Sequence, residues 1–234
     1  MKAFLLAAGK GIRLKPLTDR IPKVMIPVAG KPILEYYVEQ LAASGIREIF
    51  INLHHLPEKI KGYFQDGQKW GVHIKYSYEP EILGTAGAVK RLEKSLAREP
   101  FLVIYGDNFL QSDYADLIAH AERKNGIGTV AVFKKKDVGG SGIVEIGAGQ
   151  RILRFAEKPK AKDVFSQWVN AGIYYFQPAV FEFIESDHSD FGFDVLPYLL
   201  QREERLYAYK LKTAVWAVDS LELLDQLRKQ KGGA

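Results

Sequence analysis

Glycine, arginine and lysine residues near the N-terminus have the types and spacing needed to hold a polyphosphate. The short apolar run Ala3–Ala7 is followed by Gly9 and Gly11, where the absence of a Cβ lets backbone N–H groups approach phosphate oxygens. Arg13 and Lys23 then add two cationic donors within reach of the same anion. The run therefore predicts a phosphate-binding loop at the end of a buried strand.

Two better-known phosphate loops do not fit this spacing. A Rossmann dinucleotide loop needs a third glycine and a helix directly after it, whereas Pro16 and Pro22 keep the following segment irregular. A P-loop needs a second glycine followed by lysine and a hydroxyl residue, which the run lacks. The alternative that remains is an ordinary strand-to-helix turn with surface charges, and the length of the pattern disfavours it.

Two aspartates follow apolar segments that read as strands. Asp107 comes after Phe101–Tyr105, and Asp219 comes after Ala214–Val218. Ligands of α/β proteins bind at the carboxyl ends of strands, so both carboxylates are predicted at such an end. Two carboxylates completed by phosphate oxygens suit Mg²⁺, which makes both residues candidate metal ligands. For Asp219 the alternative is that it caps a helix predicted over Ser220–Gln230.

Composition limits the classes of protein that the chain can belong to. With 234 residues, 47% of them hydrophobic and 26% charged, it fits one large α/β domain or two small ones. The net charge of +5 is scattered, so no nucleic-acid partner is expected. The lack of cysteine excludes disulfides and thiolate metal sites. No apolar run is long enough for a membrane span or a signal peptide, so we expect a cytoplasmic protein with no membrane partner.

Apolar patterns of period two and of period 3.6 alternate over the first 135 residues. Helix starts are marked by proline and stops by glycine. We predict strands over Ala3–Ala7, Glu48–Leu53, His73–Tyr78, Phe101–Tyr105 and Thr129–Phe133, and helices over Pro32–Ser44, Pro57–Gln65, Thr85–Ala97 and Asp113–Lys124. This alternation predicts a parallel sheet with helices on both faces.

The pattern changes after residue 135, where short strands and short helices are interleaved. We predict strands over Gly142–Ile146, Ile152–Glu157, Val169–Phe176, Leu206–Leu211 and Ala214–Val218, and helices over Pro178–Glu185, Asp194–Gln201 and Ser220–Gln230. The predicted fold class is α/β, a Rossmann-like mixed, mainly parallel sheet flanked by helices, with a partly antiparallel extension. Because no Pro/Ser-rich linker interrupts the chain, we expect a single domain over 1–234, with a nucleotide-binding half over 1–135 and a substrate half over 136–234.

Two N-terminal segments, Leu6–Thr18 and Pro22–Pro32, resemble the signature of the sugar-1-phosphate nucleotidylyltransferases, in particular short mannose-1-phosphate guanylyltransferase-like members. The resemblance continues in the family's order at Leu83–Ala88, Gly106–Asp107, Glu157–Pro159, Asn170–Tyr174 and Trp216–Asp219. It covers nearly the whole chain. After Asp219 the family commonly has Gly-Thr, whereas this chain has Ser220-Leu221, which leaves the local turn open.

The resemblance implies a role for each matching residue. It implies that Arg13 and Lys23 are catalytic and that Asp107 and Asp219 bind the metal ion. The implied nucleotide-binding residues are Leu6, Ala8, Gly9, Gly11, Arg13, Lys23, Gly84, Thr85 and Asp107, and the implied sugar-phosphate-binding residues are Gly142, Glu157, Lys158 and Asn170. Gly84-Thr85 could instead be a capped helix start and Glu157-Lys158 a solvated strand end. For His54-His55 we favour a structural or base-side role.

The implied activity is attack of a sugar 1-phosphate on an NTP, with Mg²⁺ as cofactor and release of pyrophosphate. The segments Asn52–Glu58 and Leu83–Gly87 resemble those of guanylyltransferases, which favours GTP and mannose 1-phosphate. The alternatives are uridylyl, thymidylyl or adenylyl transfer to glucose, N-acetylhexosamine or heptose 1-phosphate. A non-catalytic nucleotide-sugar sensor is disfavoured, because the catalytic cations and both aspartates are present. The oligomeric state stays open, a homodimer included.

Overall fold

The computed structural model describes residues 1–232, and the chain forms two compact units that interleave along the sequence. The first unit comprises Met1–Ile82, Ile104–Tyr114 and the C-terminal segment that begins at Thr213. The second unit comprises Leu83–Val103 and Ala115–Lys212. The expected single domain with a division at residue 135 stays a prediction, and these units follow a different partition.

The first unit contains three parallel strands and two short antiparallel pairs of two residues each. Its strands are β1 (Lys2–Leu6), β2 (Pro27–Val28), β3 (Lys31–Pro32), β4 (Glu48–Leu53), β5 (His73–Tyr78), β7 (Asn108–Phe109) and β13 (Trp216–Ala217), and its helices are α1 (Ile33–Ala43), α2 (Pro57–Phe64) and α7 (Leu221–Gln230). In this sheet β1 pairs in parallel with β4, and β4 with β5. The central residues of β1 and β4 are buried on both faces, as in sheets that helices cover on two sides.

The strand β6 (Phe101–Tyr105) passes from the second unit into the first. At its end the Gly106 N–H donates to the Leu6 carbonyl over 2.9 Å, so the carboxyl ends of β6 and β1 lie side by side. This brings the residue that follows β6, Asp107, to the same edge as the loop that follows β1.

The second unit is mainly antiparallel. Its further strands are β8 (Gly128–Lys134), β9 (Ile143–Ile146), β10 (Ile152–Ala156), β11 (Trp168–Phe176) and β12 (Leu206–Lys210), and its helices are α3 (Gly84–Lys90), α4 (Glu93–Leu96), α5 (Tyr114–Lys124) and α6 (Leu196–Gln201). β11 pairs antiparallel with β8 and β9, β9 pairs antiparallel with β10, and β12 lies parallel to β8.

The predicted fold class, a mixed and mainly parallel sheet flanked by helices, is confirmed. Within residues 1–232 no helix is both long and apolar enough to span a membrane.

Four predicted elements are wrong in extent or kind. Thr85–Ala97 is not one helix but two, α3 and α4, because the backbone leaves helical geometry at Leu92 (φ −105°, ψ 18°). The apolar periodicity did not indicate this break, since Ala88 and Val89 of α3 and Leu96 of α4 are all buried. Pro178–Phe183 is a 3₁₀ helix. Asp194–Gln201 becomes α-helical only at Leu196, after a π turn, and Ala214–Val218 is reduced to the two residues of β13.

Candidate active site

The segment after β1 forms a glycine-rich loop around a cavity of about 370 Å³ in the first unit. Gly11 has a left-handed backbone (φ 62°), and a Cβ there would lie 2.8 Å from Thr18 Cγ2 and 3.1 Å from Lys23 Cβ. Only glycine fits that position without displacing a neighbour. The cavity is lined by Gly9, Lys10, Gly11, Ile12, Arg13, Leu14, Lys23, Ile82, Asp107 and Asp219.

A short antiparallel ladder brings the two aspartates together. β7 begins directly after Asp107, and its Asn108 is paired with Ala217 of β13, two residues before Asp219. The buried Tyr37 hydroxyl donates to the Asn108 carbonyl over 2.7 Å, which fixes the turn next to Asp107. Ser220, not Asp219, caps α7, since its hydroxyl accepts the Leu223 N–H over 3.2 Å. The alternative role of Asp219 as a helix cap is therefore excluded.

The ammonium of Lys23 lies between the two carboxylates. Its Nζ is 2.7 Å from Asp107 Oδ2 and 2.7 Å from Asp219 Oδ1, and the side chain is buried. Burial alone would lower the pKa of Lys23, but the charges and hydrogen bonds of Asp107 and Asp219 outweigh it and raise that pKa above its ordinary value. Arg13, largely exposed, adds a second cation, with its guanidinium 3.1 Å from Asp219 Oδ1.

The donor set of this cavity suits a divalent cation only in company with phosphate. In the part of the chain that the structure describes, no three acidic or histidine side chains form a metal site of their own. Two carboxylates that converge on one point leave most of an octahedral shell to water and phosphate oxygens, which is how Mg²⁺ is usually bound. The residues present therefore fit Mg²⁺ held by Asp107 and Asp219.

The four residues implied for the sugar phosphate form one group in the second unit. The β9–β10 ladder ends with Ile143 opposite Ala156, so Gly142 faces Glu157. A Cβ on Gly142 would collide with the Glu157 carboxylate, so glycine makes room for that carboxylate. The Asn170 N–H donates to the Gly142 carbonyl over 2.8 Å, which brings β11 to the same place.

Charge and hydrogen bonding in this group are partly satisfied internally. Burial raises the pKa of Glu157; nearby Lys158 opposes this shift and Asp190 adds to it. Lys158 has a left-handed backbone (φ 47°), and its Nζ lies 3.9 Å from Glu157 Oε1. Asn170 accepts the Gly172 N–H over 2.9 Å and donates to the Tyr174 hydroxyl over 2.6 Å. An amide can make four hydrogen bonds, so Asn170 keeps capacity for a ligand.

Gly84 and Thr85 begin α3 in the second unit, and a distant segment caps them. Asp190 Oδ1 accepts from the Thr85 N–H over 3.1 Å and from the Thr85 hydroxyl over 3.0 Å. The Ser189 carbonyl accepts the next two N–H groups of the helix. The capped-helix alternative thus describes the contacts of Thr85, and a role in nucleotide binding stays a prediction.

Several residues of this region were not singled out in the sequence. Lys10, Ile12, Leu14 and Ile82 line the cavity, while the predicted Leu6 and Ala8 do not appear among its lining residues. Lys10 and Ile12 could have been suggested because they are next to the predicted Gly9 and Gly11 in the sequence.

The two histidines, His54 and His55, contact backbone, as a structural role requires. His54 Nδ1 lies 2.8 Å from the Glu79 carbonyl oxygen, and His55 Nε2 lies 2.7 Å from the Thr18 carbonyl oxygen.

The fold and the loop together are the arrangement with which α/β proteins bind phosphorylated ligands at strand ends. The family model described as nucleotidyl transferase matches residues 2–219, and the chain belongs to this family. The resemblance to sugar-1-phosphate nucleotidylyltransferases is thereby confirmed.

Two curated relatives differ in the substrates they are named for. The UTP–glucose-1-phosphate uridylyltransferase of Synechocystis is 36% identical over 225 residues, which cover 90% of this chain and 58% of the relative. The mannose-1-phosphate guanyltransferase of Yarrowia lipolytica is 33% identical over 216 residues, covering 91% and 59%. The chain thus spans about three fifths of the length of these relatives.

Solved structures share the fold over nearly the full length of the chain. A UDP-glucose pyrophosphorylase complexed with UDP-glucose has a TM-score of 0.86 at 22% identity, covering 98% of this chain and 97% of the other. HddC from Yersinia pseudotuberculosis, complexed with GMP-PN, has a TM-score of 0.81 at 24% identity, covering 98% of each chain. At these identities the likeness establishes the fold alone.

Proposed function

We propose that the protein transfers a nucleotidyl group from an NTP to a sugar 1-phosphate, giving an NDP-sugar and pyrophosphate. The observation that carries the proposal is the convergence of Asp107, Asp219, Lys23 and Arg13 on one glycine-lined cavity. Membership of the nucleotidyl transferase family supports it. A site with two cations and two carboxylates is suited to a reaction in which polyanions must be neutralised and aligned.

In the proposed reaction an oxygen of the sugar 1-phosphate attacks the α-phosphorus of the NTP. A new P–O bond forms as the bond between the α-phosphorus and the β-phosphate oxygen breaks, and pyrophosphate leaves in line. A phosphate monoester is already largely ionised near pH 7, so the attack needs no general base. The contribution of the protein is positioning and charge stabilisation, with no covalent intermediate.

The residues around the loop would act on the triphosphate. The glycine-rich backbone at Gly9 and Gly11 lets N–H groups reach phosphate oxygens. Lys23 and Arg13 would stabilise the negative charge that grows on the α-phosphoryl group and on the leaving pyrophosphate. In the second unit Lys158 would hold the phosphate of the sugar substrate, with Glu157 and Asn170 on sugar hydroxyls.

Nucleotidyltransferases of this family generally use a divalent metal ion, and we infer that here it is Mg²⁺ held by Asp107 and Asp219. When bound, the ion would neutralise phosphate charge and fix the geometry of the α-phosphate. The two carboxylates would orient it, and Lys23 would be released from them toward the phosphates.

For the substrates we favour GTP and mannose 1-phosphate, as the sequence does. The Yarrowia relative is named for this pair, and the Synechocystis relative is named for UTP and glucose 1-phosphate. We therefore keep the second pair as the alternative.

The test is a pyrophosphate-release screen of the purified protein against a grid of NTPs and sugar 1-phosphates with Mg²⁺. We expect one combination to dominate, with release that requires both substrates and is lost in Asp107→Asn. Tight binding of an NDP-sugar without turnover of any combination would contradict the proposal and point to a sensor. Release from UTP and glucose 1-phosphate alone would correct the substrate assignment but keep the reaction.

A further inference from the structure

A buried polar network crosses the carboxyl ends of β1, β4 and β5 in the first unit. Asn52 lies within the otherwise apolar run Ile49–Leu53 and is only 2% exposed. Its Oδ1 accepts the Ala7 N–H over 2.6 Å, and its Nδ2 donates to Glu79 Oε1 over 2.8 Å. Glu79 is fully buried, and its own N–H donates to the Leu53 carbonyl. None of these groups belongs to the cavity-lining residues described above.

The contact with Ala7 supplies a bond that the sheet does not. The parallel register of β1 and β4 ends at Leu5 and Ile51, so the Ala7 N–H lies beyond the strand ladder. Ala7 is itself buried, and an N–H without a partner there would be costly. The Asn52 amide therefore fixes the point at which the chain leaves β1 and enters the glycine-rich loop.

The far end of the same loop is also tied to the segment after β4. His55 Nε2 contacts the Thr18 carbonyl oxygen over 2.7 Å, and the Thr18 hydroxyl donates to the Gly11 carbonyl over 2.9 Å. The loop is thus held on both sides of the Gly9–Gly11 turn by residues at the end of β4. An apolar residue at position 52 would complete the buried run of β4. The polar network is therefore better explained by its hydrogen bonds to the loop than by the packing of the strand.

We propose that Asn52 and Glu79 are positioning residues of the nucleotide site. Asn52 holds the Ala7 backbone, and Glu79 holds the Asn52 amide in the orientation that presents its oxygen to Ala7. Through Ala7 they set the place of the Gly9–Gly11 N–H groups that would meet the phosphates. The kinetic part of this inference rests on the proposed function, whereas the structural part does not.

The first measurement is amide hydrogen exchange of the protein without substrates, for the wild type and for Asn52→Leu. We expect exchange in the segment 7–11 to become about tenfold faster or more, while β4 keeps its protection. Glu79→Gln should stay near wild type, because an amide oxygen still accepts from Asn52 Nδ2. Ser77→Ala is the matched control, since Ser77 is buried and paired in register with Asn52 on β5.

The second measurement is steady-state kinetics of the same variants. A loop displaced by the order of 1 Å should raise the KM for the NTP or lower kcat by about ten- to hundredfold. The KM for the sugar 1-phosphate should stay unchanged. A role in stability alone would lower the unfolding temperature of Asn52→Leu without moving the NTP parameters at a temperature where the protein is folded.

Two results would overturn the inference. One is unchanged exchange in segment 7–11 of folded Asn52→Leu, or of the milder Asn52→Ser if the leucine variant does not fold. The other is an equal gain in exchange throughout β1 and β4, which would mean general destabilisation. Because exchange is measured without substrates, these outcomes are independent of the pyrophosphate-release screen, and failure of one leaves the other interpretable.

Discussion

Replacing Lys23 by methionine tests the relation between the cation at the centre of the site and the metal. The change keeps an unbranched apolar stem in the buried position and removes the ammonium that contacts both Asp107 and Asp219. In the wild type a metal ion that approaches the carboxylates has to displace that ammonium. In Lys23→Met it does not, and the two carboxylates repel each other until a cation arrives. We therefore expect Lys23→Met to bind Mg²⁺ more tightly than the wild type in the absence of nucleotide.

The size of the effect follows from the two ion pairs. A hydrogen bond to a charged group contributes about 1.5–3 kcal/mol when it is shielded from water. The side chains of Asp107 and Asp219 are 40% and 33% exposed, so solvent screens both pairs and the lower end applies. A net gain of about 1.4 kcal/mol, at that lower end, corresponds to a roughly tenfold lower dissociation constant for Mg²⁺.

Calorimetric titration with Mg²⁺, without nucleotide, measures this directly, and the rise of the unfolding temperature with Mg²⁺ is an independent readout. Arg13→Met is the matched control, because the exposed Arg13 makes one solvent-screened pair with Asp219 and should change Mg²⁺ affinity less. Turnover of Lys23→Met should nevertheless fall. Equal or weaker Mg²⁺ binding by a folded Lys23→Met would refute the argument that the ammonium and the metal compete for the same oxygens.

Four further outcomes are expected. Asp107→Asn should keep the fold and lose most turnover in saturating Mg²⁺, measured as pyrophosphate release, and wild-type activity would remove Asp107 from the metal site. Arg13→Ala should lower kcat by about 10²–10³-fold. A change in KM alone would show that Arg13 contributes to binding of the substrate and not to stabilisation of the transition state. Lys158→Ala should weaken sugar 1-phosphate binding by roughly ten- to hundredfold and leave NTP binding intact in calorimetry. Burial raises the pKa of Glu157 in the folded protein. The stability that its neutral form provides is therefore present below pH 4.5 and is lost as pH rises through the folded pKa. From about pH 4.5 upward, the unfolding temperature of Glu157→Gln should rise relative to that of the wild type.

The parallel strands and their bounds were predictable because their side chains carry the signal. Glu48–Leu53, His73–Tyr78 and Phe101–Tyr105 have the bounds that the apolar and β-branched runs predict. The pairing of β8 was not predictable in the same way. Regular alternation of strands and helices suggested that it continues the parallel sheet, whereas it pairs antiparallel with β11 and parallel with β12. Periodicity fixes which face of a strand is buried but not which strand lies beside it.

The candidate site could be predicted where a residue type has no better structural use. Gly11 has such a constraint, since its backbone is left-handed and its Cβ position is occupied. Asn52 gave a comparable signal, an amide inside a buried apolar strand, but its partners Ala7 and Glu79 are remote in sequence. Hydrogen bonds between distant segments decide what a buried amide does, and one sequence does not contain them.

The placement of Asp219 shows how such long-range contacts build the site. Asp219 was predicted to follow a strand of five residues, Ala214–Val218. Within that segment only Trp216 and Ala217 form a strand, which pairs with β7. A two-residue ladder is too short to hold a segment by itself. The ion pairs of Asp219 with Lys23 and Arg13, and the hydrogen bonds from the Arg228 guanidinium to the Pro27 carbonyl over 3.2 Å, supply the further attachment. The cations that we assign to the phosphates therefore also hold the proposed metal ligand Asp219 in place before any substrate binds, and the contacts of Arg13 and Arg228 keep this attachment when Lys23 is replaced.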